Sequence, residues 1–300
     1  MSKAIVDIAR LPEAEQARFK QLTSAPRLAI PTAILLATVV ITCLVTYTLC
    51  VMGRWPLWLG TTIITIVGYL AFSVGHDGAH RTISSNTRLN DRLGQLGMMP
   101  IMPYIDLRMF RWGHILHHRF ASGDRDPDKA LNGPWWSLPL RWAFIDVVYF
   151  VYALRHGDKV SKPYLRQGLV NFAIFAVLAG AAIYAGYGKE IVMLWLIPSR
   201  LIFVSLGFSF FWLPHVPHDV TQEENFTRAT TIRQGFEWLL GPVLQYQNYH
   251  LIHHLYPMTP FYNNYKVWLL LEPELRKKDL AIQHNFDIHP EIRFAPSAQS

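Results

Sequence analysis

Residues 28–52 read LAIPTAILLATVVITCLVTYTLCVM, a stretch of 25 positions without one charged side chain. A helix needs roughly 20 predominantly apolar residues to cross a hydrocarbon core of about 30 Å, so this stretch is long enough to span a bilayer. It lies too far into the chain, and is too long, for the apolar region of a signal peptide, so we expect it to remain in the protein. Three further apolar stretches follow at 56–75, 169–187 and 191–213. The sequence therefore predicts four transmembrane helices.

Very short links join the first stretch to the second and the third to the fourth, and such links favour helical hairpins. The N-terminal, central and C-terminal segments then lie on one side of the membrane. These three segments hold 25 of the 28 Lys and Arg residues, and the positive-inside rule places them in the cytoplasm. We predict a single all-α integral membrane domain over 1–300, with interfacial helices and a cytoplasmic cap rich in histidine. Its parts are a cytoplasmic segment 1–27, a hairpin 28–75, a cytoplasmic segment 76–168, a hairpin 169–213 and a cytoplasmic segment 214–300.

The amino-acid composition agrees with an integral membrane protein. Of the 300 residues, 51% are hydrophobic and only 16% are charged, against about 25% charged in ordinary soluble domains. Intrinsic disorder, a collagenous repeat and a disulfide scaffold are excluded. The net charge is +7, but the basic residues form no patch with aromatics, so we expect no nucleic-acid partner. Cys43 and Cys50 lie on one side of the first predicted helix, which favours packing over a disulfide bridge.

Three shorter apolar stretches lie between or after the predicted spans, at 96–105, 135–154 and 236–244. Each contains proline or a charged residue, so we predict helices that lie at the interface or re-enter it. The tryptophans at these positions suit the level of the lipid headgroups. A fifth span at 135–154 is the alternative, and it would move the later histidines across the membrane. The tryptophans concerned are Trp135, Trp136, Trp142 and Trp238.

Ten of the 13 histidines fall in four short clusters. On a helix, residues three and four apart lie on one face, so the members of a cluster can direct their imidazoles at one point. The repeated H-x-x-H-H pattern, together with H-x-x-x-H at the end of a span, favours metal binding over isolated polar residues at the interface. His156, His284 and His289 are scattered and receive no role. The clusters are HDGAH at 76–80, HILHH at 114–118, HVPH at 215–218 and HLIHH at 250–254.

The number of clustered histidines predicts two metal ions, because a single zinc site takes about three or four protein ligands. Neutral imidazole suits iron, zinc, copper and nickel alike, so the ligand type alone does not select the metal. The sequence lacks the H-E-x-x-H pattern of zinc proteases and the E-x-x-H pairs of soluble di-iron bundles. A membrane metal transporter or sensor is a different class of function. A protein of that class would carry ionisable residues within several spans, whereas Arg200 is almost alone among the residues of the predicted spans in being ionisable.

The clusters HDGAH, HILHH and HLIHH, spaced along a four-span protein, resemble the three histidine boxes of the membrane fatty acid desaturase superfamily. The superfamily includes acyl desaturases, hydroxylases and carotenoid oxygenases, and the resemblance covers roughly residues 56 to 268. It implies a non-haem centre of two Fe²⁺ ions, O2 as co-substrate and an external electron donor such as a ferredoxin. Many relatives carry one more histidine after the last span; His215 is favoured here because it follows a Leu-Pro pair, and His218 is the second choice. The implied metal ligands are His76, His80, His114, His117, His118, His215 or His218, His250, His253 and His254.

Five polar residues near the boxes are candidates for supporting contacts. Asn248 precedes the last box and suits a water-mediated contact, with a turn or capping residue as the alternative. Asp77, Asp124, Asp126 and Asp128 are candidates to hold an imidazole tautomer. Asp126 belongs to the stretch DRDPD, which also contains Asp124 and Asp128, and the alternative for this stretch is a solvated acidic turn.

Some features depart from particular branches of the superfamily. The first box has three residues between its histidines, rather than the four of stearoyl-type Δ9 enzymes. The last box begins with His250, rather than the Gln of front-end desaturases, and the His-Pro-Gly-Gly motif of a fused haem domain is missing. QNYHLIHHLYP and LPHVPHD look closest to bacterial acyl desaturase and carotenoid hydroxylase relatives.

The predicted function is an O2-dependent di-iron oxidoreductase that desaturates or hydroxylates the hydrocarbon chain of a membrane lipid, with a fatty acyl substrate favoured. A carotenoid (β-carotene) ring hydroxylase or ketolase, and a fatty acid decarboxylase that forms terminal alkenes, are the alternatives. No side chain oxidises an unactivated C–H bond, so we expect no catalytic residues beyond the metal ligands. The expected location is a bacterial inner membrane. Arg200, near the middle of the last predicted span, either binds a substrate headgroup or pairs within the bundle.

Overall fold

A computed structural model describes residues 5–296 of the chain. Within this range the chain is mostly helical, and its longest helices coincide with the apolar stretches. The α-helices are α1 Glu13–Thr23, α2 Ile30–Val51, α3 Leu57–His80, α4 Thr87–Met98, α5 Leu107–Phe120, α6 Leu138–Ala143, α7 Ile145–His156, α8 Ser161–Ala182, α9 Gly188–Ile191, α10 Ile197–Leu206, α11 Glu237–Val243, α12 His250–Leu255 and α13 Asn264–Leu275.

Three helical segments are long and apolar enough to cross a membrane, and the number rises to four if one bent helix pair counts as a span. The first two are α2 and α3. The third is Ser161–His215, whose 55 residues would extend about 80 Å if they were straight. They are not straight, because Gly186 has a φ of 96° and the rings of Phe175 and Trp195 approach to 4.5 Å between centroids. The bent pair is Trp135–Ala143 with Ile145–His156, at an angle of 79°.

Helix α3 is the central helix, and two glycines let its neighbours approach closely. A Cβ on Gly60 would lie 2.6 Å from both Cys50 Sγ of α2 and Leu194 Cδ2, and a Cβ on Gly68 would lie 2.4 Å from Ile202 Cδ1 of α10. Such contacts are typical of membrane helices, whose association relies on close packing rather than on exclusion of water. Both cysteines are buried free thiols, which confirms the predicted packing role.

Helix α4 packs against the last turns of α3 through facing glycines. A Cβ on Gly94 would lie 2.8 Å from the Cα of Gly78 and 2.8 Å from Leu107 Cδ2. Arg111 of α5 adds a polar contact here, because its guanidinium donates to the carbonyls of Gly78 and Ala79. Helices α4 and α5 therefore hold the end of α3, where the first histidine cluster lies.

We expect Gly94→Ala to lower the free energy of unfolding by about 1–3 kcal/mol or more, because the methyl group would push two helix backbones apart. Thermal unfolding in detergent would measure the effect. Gly180→Ala in α8 is the matched control, since no atom lies within 4 Å of the Cβ position there. Equal unfolding temperatures for the two variants would contradict the close packing of α3 and α4.

The prediction of an all-α fold is wrong in one respect, because the C-terminal third contains a small three-stranded sheet. Its strands are β1 Thr231–Gln234, β2 Leu280–His284 and β3 Glu291–Arg293. β1 pairs with β2 in parallel, with Thr231 opposite Ala281, and β2 pairs with β3 in antiparallel orientation. The strands are three to five residues long, too short for a hydropathy pattern to separate them from loops.

Two predictions about interfacial elements are also corrected. The stretch 96–105 is not an interfacial helix: α4 ends at Met98, since Pro100 and Pro103 lack the amide hydrogen that a continuing helix needs. Its residues Ile101 and Ile105 are buried in the core. Trp142 is likewise buried, and its Nε1 donates to the carbonyl of Leu131. The other three tryptophans are 71–83% exposed, as expected for the headgroup level; they are Trp135, Trp136 and Trp238.

Candidate metal centre

The first histidine cluster forms the end of α3. The helix continues beyond the predicted limit at 75 to His80, and Arg81, with a left-handed φ of 60°, ends it. His76 and His80 lie one turn apart on the same face, with 4.9 Å between their ring centroids. The apolar span and the first cluster are thus one continuous element.

The second histidine cluster lies on α5. Its N-cap residue, Asp106, accepts a hydrogen bond from the Arg108 amide at 2.8 Å, which satisfies one of the free donors of the first turn. Phe110 stacks on His114, with 5.4 Å between centroids and 9° between ring planes. His114 and His117 are buried on the inner face, whereas His118 is partly buried.

The remaining clusters come from the C-terminal half of the chain. His215 is the last residue of the long helical segment Ser161–His215. Helix α12 begins at His250 and carries His253 and His254 in its short length. All four side chains are buried.

The four clusters converge into two groups of four imidazoles, and each group draws on three separate elements. Within each group, one ring nitrogen per residue lies within 4.8 Å of the others. His118 lies between the groups: its Nε2 is 3.1 Å from His114 Nε2, and its ring centroid is 4.2 Å from that of His254. Group A consists of His76, His80, His114 and His253, and group B consists of His117, His215, His250 and His254.

In group B, the Nδ1 atom of every imidazole contacts an oxygen acceptor outside the group. An oxygen acceptor requires an N–H donor, so Nδ1 carries a proton, and in the neutral imidazole the lone pair is then on Nε2. The four contacts are His117 Nδ1 to Asp126 Oδ1 at 3.0 Å, His215 Nδ1 to the Ala229 carbonyl at 3.2 Å, His250 Nδ1 to Gln247 Oε1 at 2.6 Å and His254 Nδ1 to Gln222 Oε1 at 3.1 Å.

The Nε2 atoms therefore face one another as acceptors. His250 Nε2 lies 3.0 Å from His215 Nε2 and 3.1 Å from His254 Nε2. Lone pairs at this separation repel each other, whereas a cation between them would be bound by all of them. In group A, His76 Nε2 is likewise 3.0 Å from His114 Nε2. A set of neutral imidazoles of this kind fits a transition metal such as iron or zinc.

Burial is the main influence on the charge of these imidazoles. It lowers the pKa of five of them well below the ordinary histidine value, and the charge of neighbouring histidines lowers the pKa further. The neutral form, which is the form that binds metal, is therefore favoured at physiological pH. The five residues are His114, His118, His250, His253 and His254.

His117 differs because two carboxylates face its Nδ1. Asp126 Oδ1 is 3.0 Å and Asp128 Oδ2 is 3.1 Å from this atom, and Asp128 also accepts from the hydroxyl of Tyr149 at 2.7 Å. Burial disfavours the charged form of His117, but the two carboxylates outweigh it and raise the pKa to about 9. The charged form of His117 is therefore favoured at physiological pH without metal, and a cation bound at Nε2 would take the place of that proton. The same carboxylates would balance the charge of the cation.

We expect Asp126→Asn to weaken metal binding by group B about 10–100-fold, the usual effect of losing a partner that orients a ligand. Asp126 accepts from both His117 Nδ1 and the Ser122 amide, and an asparagine would have to turn its NH2 group toward one of these donors. A chelator competition with the purified protein would measure metal retention. Asp124→Asn is the control, because Asp124 is exposed and pairs with Lys129. Equal retention in the two variants would contradict the orienting role of Asp126.

Three further predicted site residues belong to neither group: His218, Asp77 and Asn248. His215, the favoured choice, lies in group B, whereas His218 belongs to neither group, with 6.3 Å between the ring centroids of the two histidines. Asp77 accepts from Thr32 Oγ1 at 3.0 Å and from the Phe261 amide at 3.2 Å, so it joins three segments instead of holding an imidazole. Asn248 is buried, and its amide has no hydrogen-bond partner among residues 5–296.

Two glutamines that the sequence analysis missed contact group B directly. Gln247 lies three positions before His250, so the helical spacing could have identified it. Gln222 lies in the polar stretch TQEEN at 221–225, which has the composition of an ordinary solvated loop. Nothing in the sequence around Gln222 distinguishes it from the other polar residues of this stretch.

The comparisons with known proteins agree with this geometry. The family model described as fatty acid desaturase matches residues 53–286. A β-carotene ketolase of Paracoccus sp. (strain PC1) is 27% identical over 64% of this chain and 70% of its own length. A dihydrorhizobitoxine desaturase of Bradyrhizobium elkanii is 28% identical over 74% of this chain and 68% of its own length. An sn-1 oleoyl-lipid 12-desaturase of Synechocystis sp. is 25% identical over 71% of this chain and 66% of its own length.

Proposed function

The chain belongs to the fatty acid desaturase family, and on that premise we propose that it is an O2-dependent di-iron oxidoreductase of membrane lipids. It desaturates or hydroxylates the hydrocarbon chain of its substrate, and a fatty acyl substrate is favoured. The observation that carries the proposal is the convergence of eight imidazoles, distant in sequence, into two groups of four. The relatives named as a β-carotene ketolase and an oleoyl-lipid desaturase support the substrate class.

Group A and group B are each proposed to hold one iron ion. His118, between the groups, is proposed as a ninth ligand, and its Nε2 lies 3.1 Å from His114 Nε2 of group A. Bound iron would supply the one-electron redox chemistry with O2 that no side chain provides. The contribution of the protein is to fix the imidazoles in their neutral tautomers and to place the substrate beside them. Electrons would come from an external donor such as a ferredoxin.

Apolar side chains of the spans meet the imidazoles and suit a hydrocarbon substrate. Phe72 lies 6.1 Å from His76 between ring centroids, and it packs against Phe110 at 5.6 Å and Phe210 at 4.9 Å. A wall of this kind excludes water from the reacting centre and so prevents side reactions. The cavity beside Phe72 and Phe110 measures only about 10 Å³. A lipid chain would therefore enter through movement of these side chains.

We also propose the predicted topology, with four spans in two hairpins and the imidazoles on the cytoplasmic side. The positive φ of Gly186 and the contact between Phe175 and Trp195 support a reversal of the chain within Ser161–His215. The contacts of Gly60 with Leu194 and of Gly68 with Ile202 run in the same order along both helices. Parallel packing of this kind brings the ends of α3 and of the last span, and hence His80 and His215, to one side. The whole chain then forms one membrane domain, and the proposed location is a bacterial inner membrane.

A carotenoid ring hydroxylase or ketolase is the second candidate function. Two β-carotene ketolases of Paracoccus species, 27% and 29% identical to this chain, favour it. The same imidazole groups would serve either substrate, so the metal centre does not distinguish the two.

Lipid and pigment profiles of expressing hosts would test the proposal. The chain and its His117→Ala variant would each be expressed in a host that makes fatty acyl lipids and β-carotene. New unsaturated or hydroxylated acyl chains, present with the natural chain and missing with the variant, are the expected result. Oxidised carotenoids would establish the second candidate, and terminal alkenes would indicate decarboxylation. Unchanged lipids and pigments, with the protein folded, iron-loaded and supplied with a reductant, would contradict the proposal.

A further inference from the structure

Gln222 reaches the metal centre from an exposed loop outside the histidine clusters. The loop connects His215 to β1, and its neighbours Glu223 and Glu224 are exposed. Thr221 and Glu224 bond to each other within the loop, the Thr221 amide and hydroxyl both donating to Glu224 Oε2. The Gln222 side chain turns inward, and its backbone amide donates to the Ala121 carbonyl at 3.0 Å. The loop is thus attached to the end of α5.

The amide group of Gln222 contacts two histidines. Its Nε2 donates to the backbone carbonyl of His118, and its Oε1 lies 3.1 Å from His254 Nδ1. The two contacts come from different helices, since His118 belongs to α5 and His254 belongs to α12. Gln222 therefore joins the second and the last histidine clusters through one side chain.

The first of these contacts determines the second. A backbone carbonyl can only accept a hydrogen bond, so the NH2 end of the Gln222 amide must face His118. Its oxygen must then face His254 Nδ1, and this nitrogen must carry the proton. The lone pair of His254 is thereby placed on Nε2, which faces His250 Nε2 at 3.1 Å inside group B.

We infer that Gln222 is a positioning residue for the metal of group B: it selects the metal-binding tautomer of His254 and fixes its ring against α5. The inference rests on the proposed binding of a metal ion by group B. Gln222 contacts the imidazole of His254 but only the backbone carbonyl of His118, so its effect should be confined to the metal ion of group B. Outer partners of metal-binding histidines usually contribute about 10–100-fold to affinity.

Release of Fe²⁺ to a strong ferrous chelator from the purified full-length protein would test this inference. Gln222→Met keeps the length of the side chain and removes both hydrogen bonds. We expect the variant to release one of its two equivalents about 10–100-fold faster than the natural chain, and the other at an unchanged rate. In the Co²⁺-substituted protein, Gln222→Met should change the absorption of one of the two bound ions and leave that of the other unchanged.

Two further variants separate positioning from general damage to the loop. Gln222→Glu can still accept from His254 Nδ1 but cannot donate to His118, so its release rate should fall between those of the natural chain and Gln222→Met. Glu223→Gln, one position further on an exposed side chain, should release both ions at the natural rate.

The outcomes that overturn the inference are distinct from those that overturn the function. Natural release rates in Gln222→Met, or equal acceleration of both equivalents, would refute the role of Gln222. If Gln222→Met does not fold, equal rates in Gln222→Glu and Glu223→Gln would refute it. A natural chain that retains fewer than two metal ions would contradict the proposed function instead.

Discussion

Replacing His250 with alanine should remove the metal ion from group B and reduce lipid oxidation to background. His250 is the centre of this group, because its Nε2 lies 3.0 Å from that of His215 and 3.1 Å from that of His254. Loss of a direct ligand should lower the metal affinity by more than the roughly 10–100-fold expected for loss of an outer partner such as Asp126. Metal analysis and product analysis of the purified variant would measure both effects.

His289→Ala is the control for this experiment, since His289 is exposed and belongs to neither group. It should keep the metal content and the activity of the natural chain. Circular dichroism would establish that both variants retain their helices. A folded His250→Ala protein with full metal content and full activity would exclude group B as a metal site.

Replacing Arg200 with leucine should lower the free energy of unfolding by about 3–5 kcal/mol, the usual cost of leaving one partner of a buried ion pair without its counterion. Arg200 Nη2 lies 2.9 Å from Asp146 Oδ2, and Arg200 Nη1 lies 3.1 Å from Asp146 Oδ1. Arg200 Nη1 also donates to the Ala143 carbonyl at 2.8 Å, and Tyr104 donates its hydroxyl to Asp146. Arg200 therefore pairs within the helix bundle, which is one of the two alternatives that its sequence position suggested.

The double variant Arg200→Leu/Asp146→Leu distinguishes a stranded charge from a lost contact. It removes both charges, so it should recover most of the stability lost in Arg200→Leu. Thermal unfolding in detergent would compare the natural chain with the single and double variants. A double variant that is less stable than Arg200→Leu would show that the stranded carboxylate is not the source of the loss.

The candidate metal-binding histidines could be predicted from the sequence, but their division between group A and group B could not. Spacings of three and four identify the helical faces, and the long apolar stretches identify the helices that carry or precede them. His114 and His117 are three apart on α5, yet they belong to different groups. Their assignment depends on how α3, α12 and the end of the long helical segment meet around α5, and this is tertiary information.

The parts of the structure that the sequence did not reveal depend on single long-range contacts. Gln222 is a polar loop residue until the His118 carbonyl and His254 are placed beside it. The acidic stretch containing Asp126 resembles a solvated turn, but in the structure Asp126 and Asp128 are buried against His117. β1 lies far from β2 and β3 in the chain, and the sheet forms only because the chain returns to pair β2 with β1 on one side and β3 on the other.

The central claim is that group A and group B each bind a transition metal through imidazole nitrogen. The most direct test is metal analysis of the purified chain combined with X-ray absorption at the iron edge. We predict two iron ions per chain, each surrounded mainly by nitrogen at a distance near the roughly 2.0–2.1 Å of zinc-bound imidazole. One ion or none per chain after loading with Fe²⁺, or a shell made mainly of oxygen or sulfur, would contradict the claim.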